Sequence, residues 1–407
     1  MLCQTDFLNA FEKYFGYRAS VLAQAPGRLE ILGNHTDYNE GFVLSCAVGF
    51  GVTIAIAENG LDHCRVRNPE FAGDTESIID LENVGSAVPG DWVNYIRGVI
   101  TELGKRNIKI RPFDALVQSD LPVASGMSSS AALEVGFSFA FKELFGIELA
   151  NEEWARLGQA VENDYLGLKT GLLDQFSSIF GQKNALILSD FRTVEVLRTV
   201  PLPEGYVLVV ANSMIKHNLV DSEYNSRRAE CEGAAEKIAS KHNFVKKLRD
   251  VSPALLESEK DNLTLLEYKR AKHVTGECDR VKCAVEFLDK NDINAFGRLL
   301  FESHESSRDN FENSTAELDY LVELAKSIPG CLGARLSGGG FGGITIHLVR
   351  ESDKDAYMQA IREAYKLQTN VDPQILACEI GHQRYYNHTG CGYCKIAYTP
   401  VRHTATK

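Results

Sequence analysis

A run of small and hydroxylated residues at positions 121–132, LPVASGMSSSAA, directly precedes a predicted helix. The free N–H groups of a helix's first turn and the positive end of its dipole favour a bound phosphate. Gly126 keeps the loop open, and the hydroxyls of Ser128, Ser129 and Ser130 add donors and one possible Mg²⁺ ligand. The segment predicts a phosphate loop, although a serine-rich helix cap with nothing bound fits equally well. It is not a Walker loop, because no Gly-Lys-Ser/Thr follows.

A second glycine-rich segment, SGGGFGG at positions 337–343, has two interpretations. A dinucleotide-binding loop needs a helix after it, whereas residues 344–349 read ITIHLV, a strand pattern. This context excludes a dehydrogenase. The glycines instead allow the backbone to approach a ligand or another loop closely. A purely structural hairpin is the alternative.

Two further segments are rich in polar side chains. Residues 26–39 read PGRLEILGNHTDYN and are expected to form a polar turn after a short apolar run. Asn, Asp and Gly favour turns by themselves, so a simple connection is the alternative there. In residues 161–175, Glu162 and Asp164 could be solvated helix residues, but Asp174 lies among Leu and Phe residues. An unpaired carboxylate in that setting would be costly.

The elements that must position these residues alternate between helices and strands. A helix is predicted over 131–145, directly after the phosphate loop, and a buried strand over 207–211. In the second half, apolar residues at helical spacing predict helices around residues 224–243, 279–289, 292–307 and 316–327. The mixture indicates an α+β architecture rather than a regular βαβ array.

The chain has 407 residues, which favours two lobes over one hydrophobic core. We predict an N-terminal lobe over 1–200 and a C-terminal lobe over 201–407, whose last segment could return to the first lobe. A net charge of -12 argues against nucleic-acid binding and against a polybasic membrane contact. No signal peptide or membrane span is visible, and the ten scattered cysteines indicate free thiols in the cytoplasm.

Taken in order, the segments resemble the galactokinase branch of the GHMP small-molecule kinases. The family's sugar-binding signature is similar to GRLEILGNHTDYNEGFVL, its phosphate loop to LPVASGMSSSAALE and its third motif to ARLSGGGFGGITI. The resemblance implies a two-lobed GHMP kinase fold with the active site in the cleft between the lobes. It also implies ATP- and Mg²⁺-dependent phosphorylation of the C1 hydroxyl of a galactose-type sugar, in a protein that is a monomer or weak dimer.

The resemblance also implies roles for residues at matching positions. Asp174 falls where the family places the active-site aspartate, with Arg28 beside it, as acid–base or positioning groups for phosphoryl transfer. Ser130 and Glu162 match the family's Mg²⁺ ligands, which are hard oxygen donors.

Other matching positions belong to the two substrates. His35, Asp37 and Tyr224 fall where the family holds the sugar's hydroxyls, and Trp92 lies in a segment that resembles one near the nucleotide.

Asn34 departs from the family, which has a glutamate that accepts hydrogen bonds around the sugar's C6 hydroxyl. An amide has two donors and no charge, whereas a carboxylate only accepts. Galactose remains the leading substrate, and a sugar modified at C6, such as galacturonate, is the alternative. We predict that Asn34→Glu shifts the preference of the enzyme towards galactose.

A non-catalytic sugar sensor of the same family is an alternative to an enzyme. The uninterrupted phosphate loop and the presence of Arg28 and Asp174 favour an enzyme.

The segment HTGCGYC has no counterpart in the family. Its Cys391 and Cys394, with His388 nearby, could bind zinc or form a redox pair, but ordinary thiols are the better interpretation.

Overall fold

The computed structural model describes residues 4–70, 75–122, 126–216, 220–382, 384–389 and 392–396. The helices are α1 (Gln4–Phe15), α2 (Asn94–Lys105), α3 (Ser129–Phe145), α4 (Asn151–Ala160), α5 (Leu173–Phe180), α6 (Val220–Ala239), α7 (Pro253–Ser258), α8 (Leu265–Asp289), α9 (Ile293–Ser306), α10 (Ala316–Ser327) and α11 (Lys354–Thr369). The strands are β1 (Val21–Leu32), β2 (Phe42–Glu58), β3 (Cys64–Arg67), β4 (Ser77–Ile79), β5 (Phe113–Ser119), β6 (Ala185–Asp190), β7 (Glu195–Pro201), β8 (Tyr206–Lys216), β9 (Cys331–Ser337), β10 (Gly342–Arg350), β11 (Gln374–Cys378), β12 (Arg384–Thr389) and β13 (Gly392–Ile396).

The larger sheet takes strands from distant parts of the chain. Its order is β13-β12-β1-β2-β5-β3-β4, with β6 paired to β2 and β7 paired to β6. The β3–β5 pair is parallel and the other pairs are antiparallel. Val21 of β1 lies opposite Ile56 of β2 on one side and Asn387 of β12 on the other. The late segments 384–389 and 392–396 therefore belong to the sheet that carries β1.

The smaller sheet has the order β11-β8-β10-β9 and is antiparallel throughout. The chain passes from one sheet to the other between Pro201 and Tyr206. Apolar side chains of α10 and α11, such as Leu321 and Ile361, pack against one face of the smaller sheet. Two mixed layers of helix and sheet confirm the predicted α+β class.

Helix α3 packs against β1 and β2 and holds them in the core. Its residues from Ala131 to Phe141 are all buried. Gly136 is required at the closest approach, because a Cβ atom there would lie 2.8 Å from Ile54 Cδ1. Along β1, Arg28 and Glu30 are two residues apart and therefore project from the same face of the strand.

Most of the predicted elements are confirmed. The helix predicted over 131–145 is α3, the strand over 207–211 lies in β8, and the strand over 344–349 lies in β10. The helix predicted over 316–327 coincides with α10, and the other three correspond to α6, α9 and the second half of α8. Within the described residues, none of the helices combines the length and apolar character needed to cross a membrane.

The expectation of a polar turn over residues 26–39 was wrong for its first half. Residues 26–32 continue β1, and the turn is confined to the segment from Gly33 to a 3₁₀ turn at Asp37–Asn39. The polar residues of this segment suggested a turn, but they are paired with other protein groups inside the fold. Glu30, for example, is buried against the guanidinium of Arg335.

Candidate active site

A cavity opens beside β1, the start of α5 and the turn between β9 and β10. It is lined by Arg28, Glu30, Asn34, His35, Asp37, Thr170, Gly171, Leu173, Asp174, Tyr224, Gly338 and Gly339. These residues include the predicted catalytic pair and every residue predicted to bind sugar. The fold therefore brings together groups that are more than three hundred positions apart in the sequence.

Asp174 and Arg28 form an ion pair at the wall of this cavity. Arg28 Nε and Nη2 each lie 2.7 Å from Asp174 Oδ1. Arg28 Nη1 donates to the carbonyl oxygen of Gly126 at 2.6 Å, and the Ser128 hydroxyl donates to Asp174 Oδ2. The guanidinium thus ties the carboxylate to the phosphate loop, so that both face the same space.

The phosphate loop leads directly into α3. Gly126 and Ser128 have φ values of 63° and 55°, and α3 begins at Ser129. The Ser128 side chain makes no capping hydrogen bond to α3, since its hydroxyl is bound to Asp174. The first-turn N–H groups are therefore not capped by this serine, which removes the simple helix-cap interpretation. Residues 123–125 lie outside the described residues.

Ser130 and Glu162 lie beside one another next to the loop. Ser130 Oγ is 3.5 Å from Glu162 Oε1, and Thr170 Oγ1 donates to Glu162 Oε2 at 2.6 Å. Glu162 is buried in a π-helical turn that continues α4, whereas Asp164 is exposed. The solvated interpretation is therefore wrong for Glu162 and correct for Asp164.

The electrostatics of this corner suit a cation. Burial and the nearby Asp174 carboxylate raise the pKa of Glu162 to about 7. Burial and the charge of Glu162 raise the pKa of Glu134 as well, and Glu134 Oε1 has no hydrogen-bond partner. A divalent cation bound by oxygen atoms would relieve this excess of negative potential. No group of three or more His, Cys, Asp or Glu residues in the described part of the chain has the arrangement of a metal site.

Asp37 lies at the cavity wall against Gly171, which leaves room for the carboxylate because it has no side chain. The Leu173 backbone N–H donates to Asp37 Oδ2 at 3.3 Å. A Cβ atom on Gly171 would lie only 1.6 Å from the same oxygen, so a side chain cannot be accommodated there without moving the carboxylate. Burial raises the pKa of Asp37.

His35 is a neutral ring that shapes the cavity. Its nitrogens lie 2.9 Å from the Tyr38 hydroxyl and 3.1 Å from the Gly339 carbonyl oxygen. Burial lowers the pKa of His35 to about 3. The ring stacks on Phe311 at a centroid distance of 4.3 Å and contacts Tyr224 at 5.0 Å. Because both nitrogens contact the protein, His35 supports Tyr224 and the glycine-rich turn.

The amide of Asn34 is fully buried and fully hydrogen-bonded by protein groups. Its Nδ2 donates to Glu30 Oε1 and to the Gly338 carbonyl oxygen, both at 2.8 Å. Its Oδ1 accepts from Asn313 Nδ2 at 3.0 Å and from the Ser307 hydroxyl at 3.4 Å. The side chain that departs from the family pattern is thus directed into the protein's own network.

Trp92 lies in a different cavity from the sugar-site residues. This second cavity, at the start of α2, is lined by residues 87–92 with Asn94, Tyr95, Leu166 and Leu168. Its lining combines the aromatic rings of Trp92 and Tyr95 with polar groups such as Asn94, which suits a flat ring system with polar edges. Leu166 directly follows the turn that contains Glu162. This second cavity is therefore adjacent along the chain to Glu162, which forms with Ser130 the predicted Mg²⁺ site that we call the metal corner.

Six residues of the first cavity were not among the predicted site residues. These are Glu30, Thr170, Gly171, Leu173, Gly338 and Gly339. A signal was available for Glu30, because a strand through residues 26–32 places it on the same face as Arg28. The others depend on contacts between segments that are distant in sequence.

The predicted cysteine pair falls outside the side chains that the structure describes. Cys391 lies outside the described residues, and Cys394 lies in β13, of which only the backbone is described. The described cysteines are free thiols.

Comparison with known proteins identifies the relatives of this chain. Family models for the galactokinase galactose-binding signature, the GHMP kinase N-terminal domain and the GHMP kinase C-terminal domain match residues 9–58, 94–182 and 284–367. Galactokinase from Glaesserella parasuis is 41% identical over 376 residues, which cover 90% of this chain and 95% of that protein. Galactokinase from Chloroflexus aggregans is 38% identical, with 91% and 95% covered.

Solved structures give the same relationship. The crystal structure of Lactococcus lactis galactokinase complexed with galactose matches with a TM-score of 0.89 and 30% identity, covering 97% of this chain and all of that one. A mevalonate kinase matches with a TM-score of 0.60 and 18% identity, covering 89% of this chain and 99% of that one, which shows a shared fold.

Proposed function

Because the chain belongs to the galactokinase family, we propose that it transfers the γ-phosphoryl group of ATP to the C1 hydroxyl of galactose. The products are galactose 1-phosphate and ADP. The single observation that carries this proposal is the Arg28–Asp174–Ser128 arrangement, which joins the phosphate loop to the wall of the sugar cavity.

Asp174 and Arg28 act on the reacting atoms. The C1 oxygen forms a bond to the γ-phosphorus while the bond to the β,γ-bridging oxygen breaks. Asp174 orients the C1 hydroxyl and accepts its proton, and Arg28 balances the negative charge of the carboxylate and of the transferring group.

The phosphate loop and the second cavity hold the nucleotide. The first-turn N–H groups of α3, from Ser129 onward, and the backbone at Gly126 would bind the phosphates, and Trp92 would line the pocket for the base. Ser130 and Glu162 would hold Mg²⁺, which supplies charge neutralisation for the phosphates.

The sugar is held by the opposite part of the first cavity. Asp37 and Tyr224 would hydrogen-bond to hydroxyls that do not react, and His35 would keep Tyr224 in place. Precise placement of the C1 hydroxyl against Asp174 depends on these contacts.

The test is an ADP-coupled assay with galactose, N-acetylgalactosamine, galacturonate, arabinose and glucose, with the product identified by NMR. We expect galactose to give the highest kcat/KM and the phosphate to be on C1. Phosphate at another carbon would contradict the role of Asp174. Sugar binding without ADP formation would indicate the non-catalytic sensor.

We also propose that the protein works in the cytoplasm as a monomer or weak dimer. The free thiols of the described cysteines suit a reducing compartment. Light scattering after size-exclusion chromatography would test the assembly, and a stable higher oligomer would contradict it.

A further inference from the structure

Glu30 is a buried carboxylate at the wall of the sugar cavity with one oxygen still available. We infer that Glu30 is a specificity-determining residue that accepts a hydrogen bond from the sugar's hydroxymethyl group, and that Asn34 orients Glu30. This inference rests on the proposed sugar-kinase function. It places the acceptor for the sugar on β1 rather than at position 34.

Asn34 has no remaining capacity to bind the sugar. An asparagine side chain offers two N–H donors and one oxygen with two lone pairs. Both donors are used by Glu30 and Gly338, and the oxygen accepts from Asn313 and Ser307. A sugar hydroxyl could bind Asn34 only by displacing one of these buried contacts, which would leave a protein group unpaired.

Glu30 differs because its two oxygens have different surroundings. Oε1 accepts from Asn34 Nδ2 at 2.8 Å and from Arg335 Nη2 at 2.9 Å. Oε2 accepts from no residue in the described part of the chain, and it is not among the sealed polar atoms that lack a partner. Oε2 is therefore an acceptor that remains open to the cavity.

The carboxylate is also rigidly held. Arg335 is fully buried, and its Nη1 donates to the carbonyl oxygens of Glu30 and Ile31 at 3.2 and 3.0 Å. The Ser337 hydroxyl lies 3.1 Å from both the backbone nitrogen and the carbonyl oxygen of Glu30. A fixed acceptor favours a ligand donor that matches it in position.

The position of Glu30 indicates which part of a sugar it contacts. Its side chain is only 4% exposed, so Oε2 is recessed in the wall. On galactose, the exocyclic hydroxymethyl arm extends beyond the ring and can reach a recessed acceptor. The reacting C1 hydroxyl belongs instead beside Asp174. A negatively charged carboxylate in place of the hydroxymethyl group would be repelled by the Glu30 carboxylate, so a uronic acid is disfavoured.

The test compares substrate preference in three proteins. Wild type, Glu30→Gln and Glu30→Asp are assayed for kcat/KM with galactose, 6-deoxygalactose and galacturonate. The glutamine can keep an oxygen towards Asn34 and Arg335 and present an N–H group to the cavity. We expect the preference for galactose over 6-deoxygalactose to fall about 10- to 100-fold, as for the loss of a hydrogen bond to a charged group. The rate with galacturonate should rise relative to galactose.

The aspartate variant separates charge from reach. Glu30→Asp keeps the negative charge but withdraws it by one methylene, so it should lose the preference for galactose over 6-deoxygalactose and still reject galacturonate. Each preference is a ratio of two kcat/KM values measured on one preparation, so it does not depend on the fraction of the protein that is folded. Glu102→Gln, which alters another buried and ion-paired glutamate in α2, is the matched control and should leave both ratios unchanged.

Two failures are distinguishable. An unchanged ratio of galactose to 6-deoxygalactose in both Glu30 variants would overturn the role of Glu30 while the kinase function stands. The absence of ADP formation by the wild type with any sugar would overturn the proposed function itself.

Discussion

The two ends of the sugar cavity are built in different ways. At the transfer end, Asp174 is 27% exposed and is held by Arg28 and Ser128. At the recognition end, Glu30 and Arg335 are almost completely buried and are paired through Glu30 Oε1, while Glu30 Oε2 stays open to the cavity. The groups proposed to react are therefore open to substrate, whereas the groups proposed to select the sugar are already fixed by the protein.

The largest effect on activity is expected from Asp174→Asn at the transfer end. The amide preserves the shape of the side chain but removes the proton acceptor and the charge that pairs with Arg28. We expect kcat to fall about 10²–10⁴-fold, while calorimetry shows that galactose still binds. A kcat within a few-fold of wild type would show that Asp174 neither accepts the proton nor orients the hydroxyl.

The corresponding change at the recognition end is Arg335→Met. It leaves the Glu30 carboxylate buried without its cation, and breaking such a pair typically costs about 3–5 kcal/mol of unfolding free energy. Urea denaturation measures the loss. Arg111→Met, which breaks the exposed pair with Glu58, is the control and should have little effect. Equal stability of the two variants would mean that the recognition end is not rigidly built.

A smaller effect is expected between the two ends, from Gly171→Ala. The new Cβ atom would overlap Asp37 Oδ2 and displace the carboxylate. We expect KM for galactose to rise about tenfold with a smaller change in kcat, because a contact common to ground and transition states is lost. Gly104→Ala is the control, since a Cβ atom there meets nothing within 4 Å. Unchanged KM in Gly171→Ala would remove Asp37 from the sugar site.

The smallest effect concerns the metal corner and pH. The Glu162 pKa of about 7 lies above the ordinary value of 4.5, so protons compete with Mg²⁺ below neutrality. The Mg²⁺ concentration for half-maximal rate should rise up to about tenfold per unit of pH below 7. Without metal, the contribution of Glu162 to stability is present below about pH 4.5 and is lost as pH rises through 7.

Glu162→Gln is the comparison for this pH effect. The variant should need a higher Mg²⁺ concentration for half-maximal rate at every pH. This concentration should also rise less steeply below pH 7 than in wild type, because glutamine does not bind a proton there. The titration of ATP itself is common to both proteins and cancels. Identical pH profiles would exclude Glu162 as a ligand.

Much of the fold and half of the site could be predicted from sequence. The phosphate loop and α3 are local features, because hydroxyl-rich residues and the following apolar helix are adjacent in the chain. Asp174 was recognisable because a carboxylate among apolar residues needs a partner.

The rest could not be predicted, because it depends on pairing over long distances. Asn34 was visible as a departure from the family, but its direction is set by Asn313 and Gly338, some three hundred residues later. Glu30 was not recognised because a charged residue in this segment suggested a polar turn. Its charge is instead paired with the buried Arg335, which is distant in sequence.

The pairing of β1 with β12 has a consequence for how the protein is made. Val21 pairs with Asn387, which is 366 positions later. At ribosomal rates of about 5–20 residues per second, that partner is synthesised roughly 20–70 s after β1. During this interval, the edge of the strand that carries Arg28 and Glu30 is open to pairing with other chains. The nascent protein is therefore exposed to aggregation at the strand on which its chemistry depends.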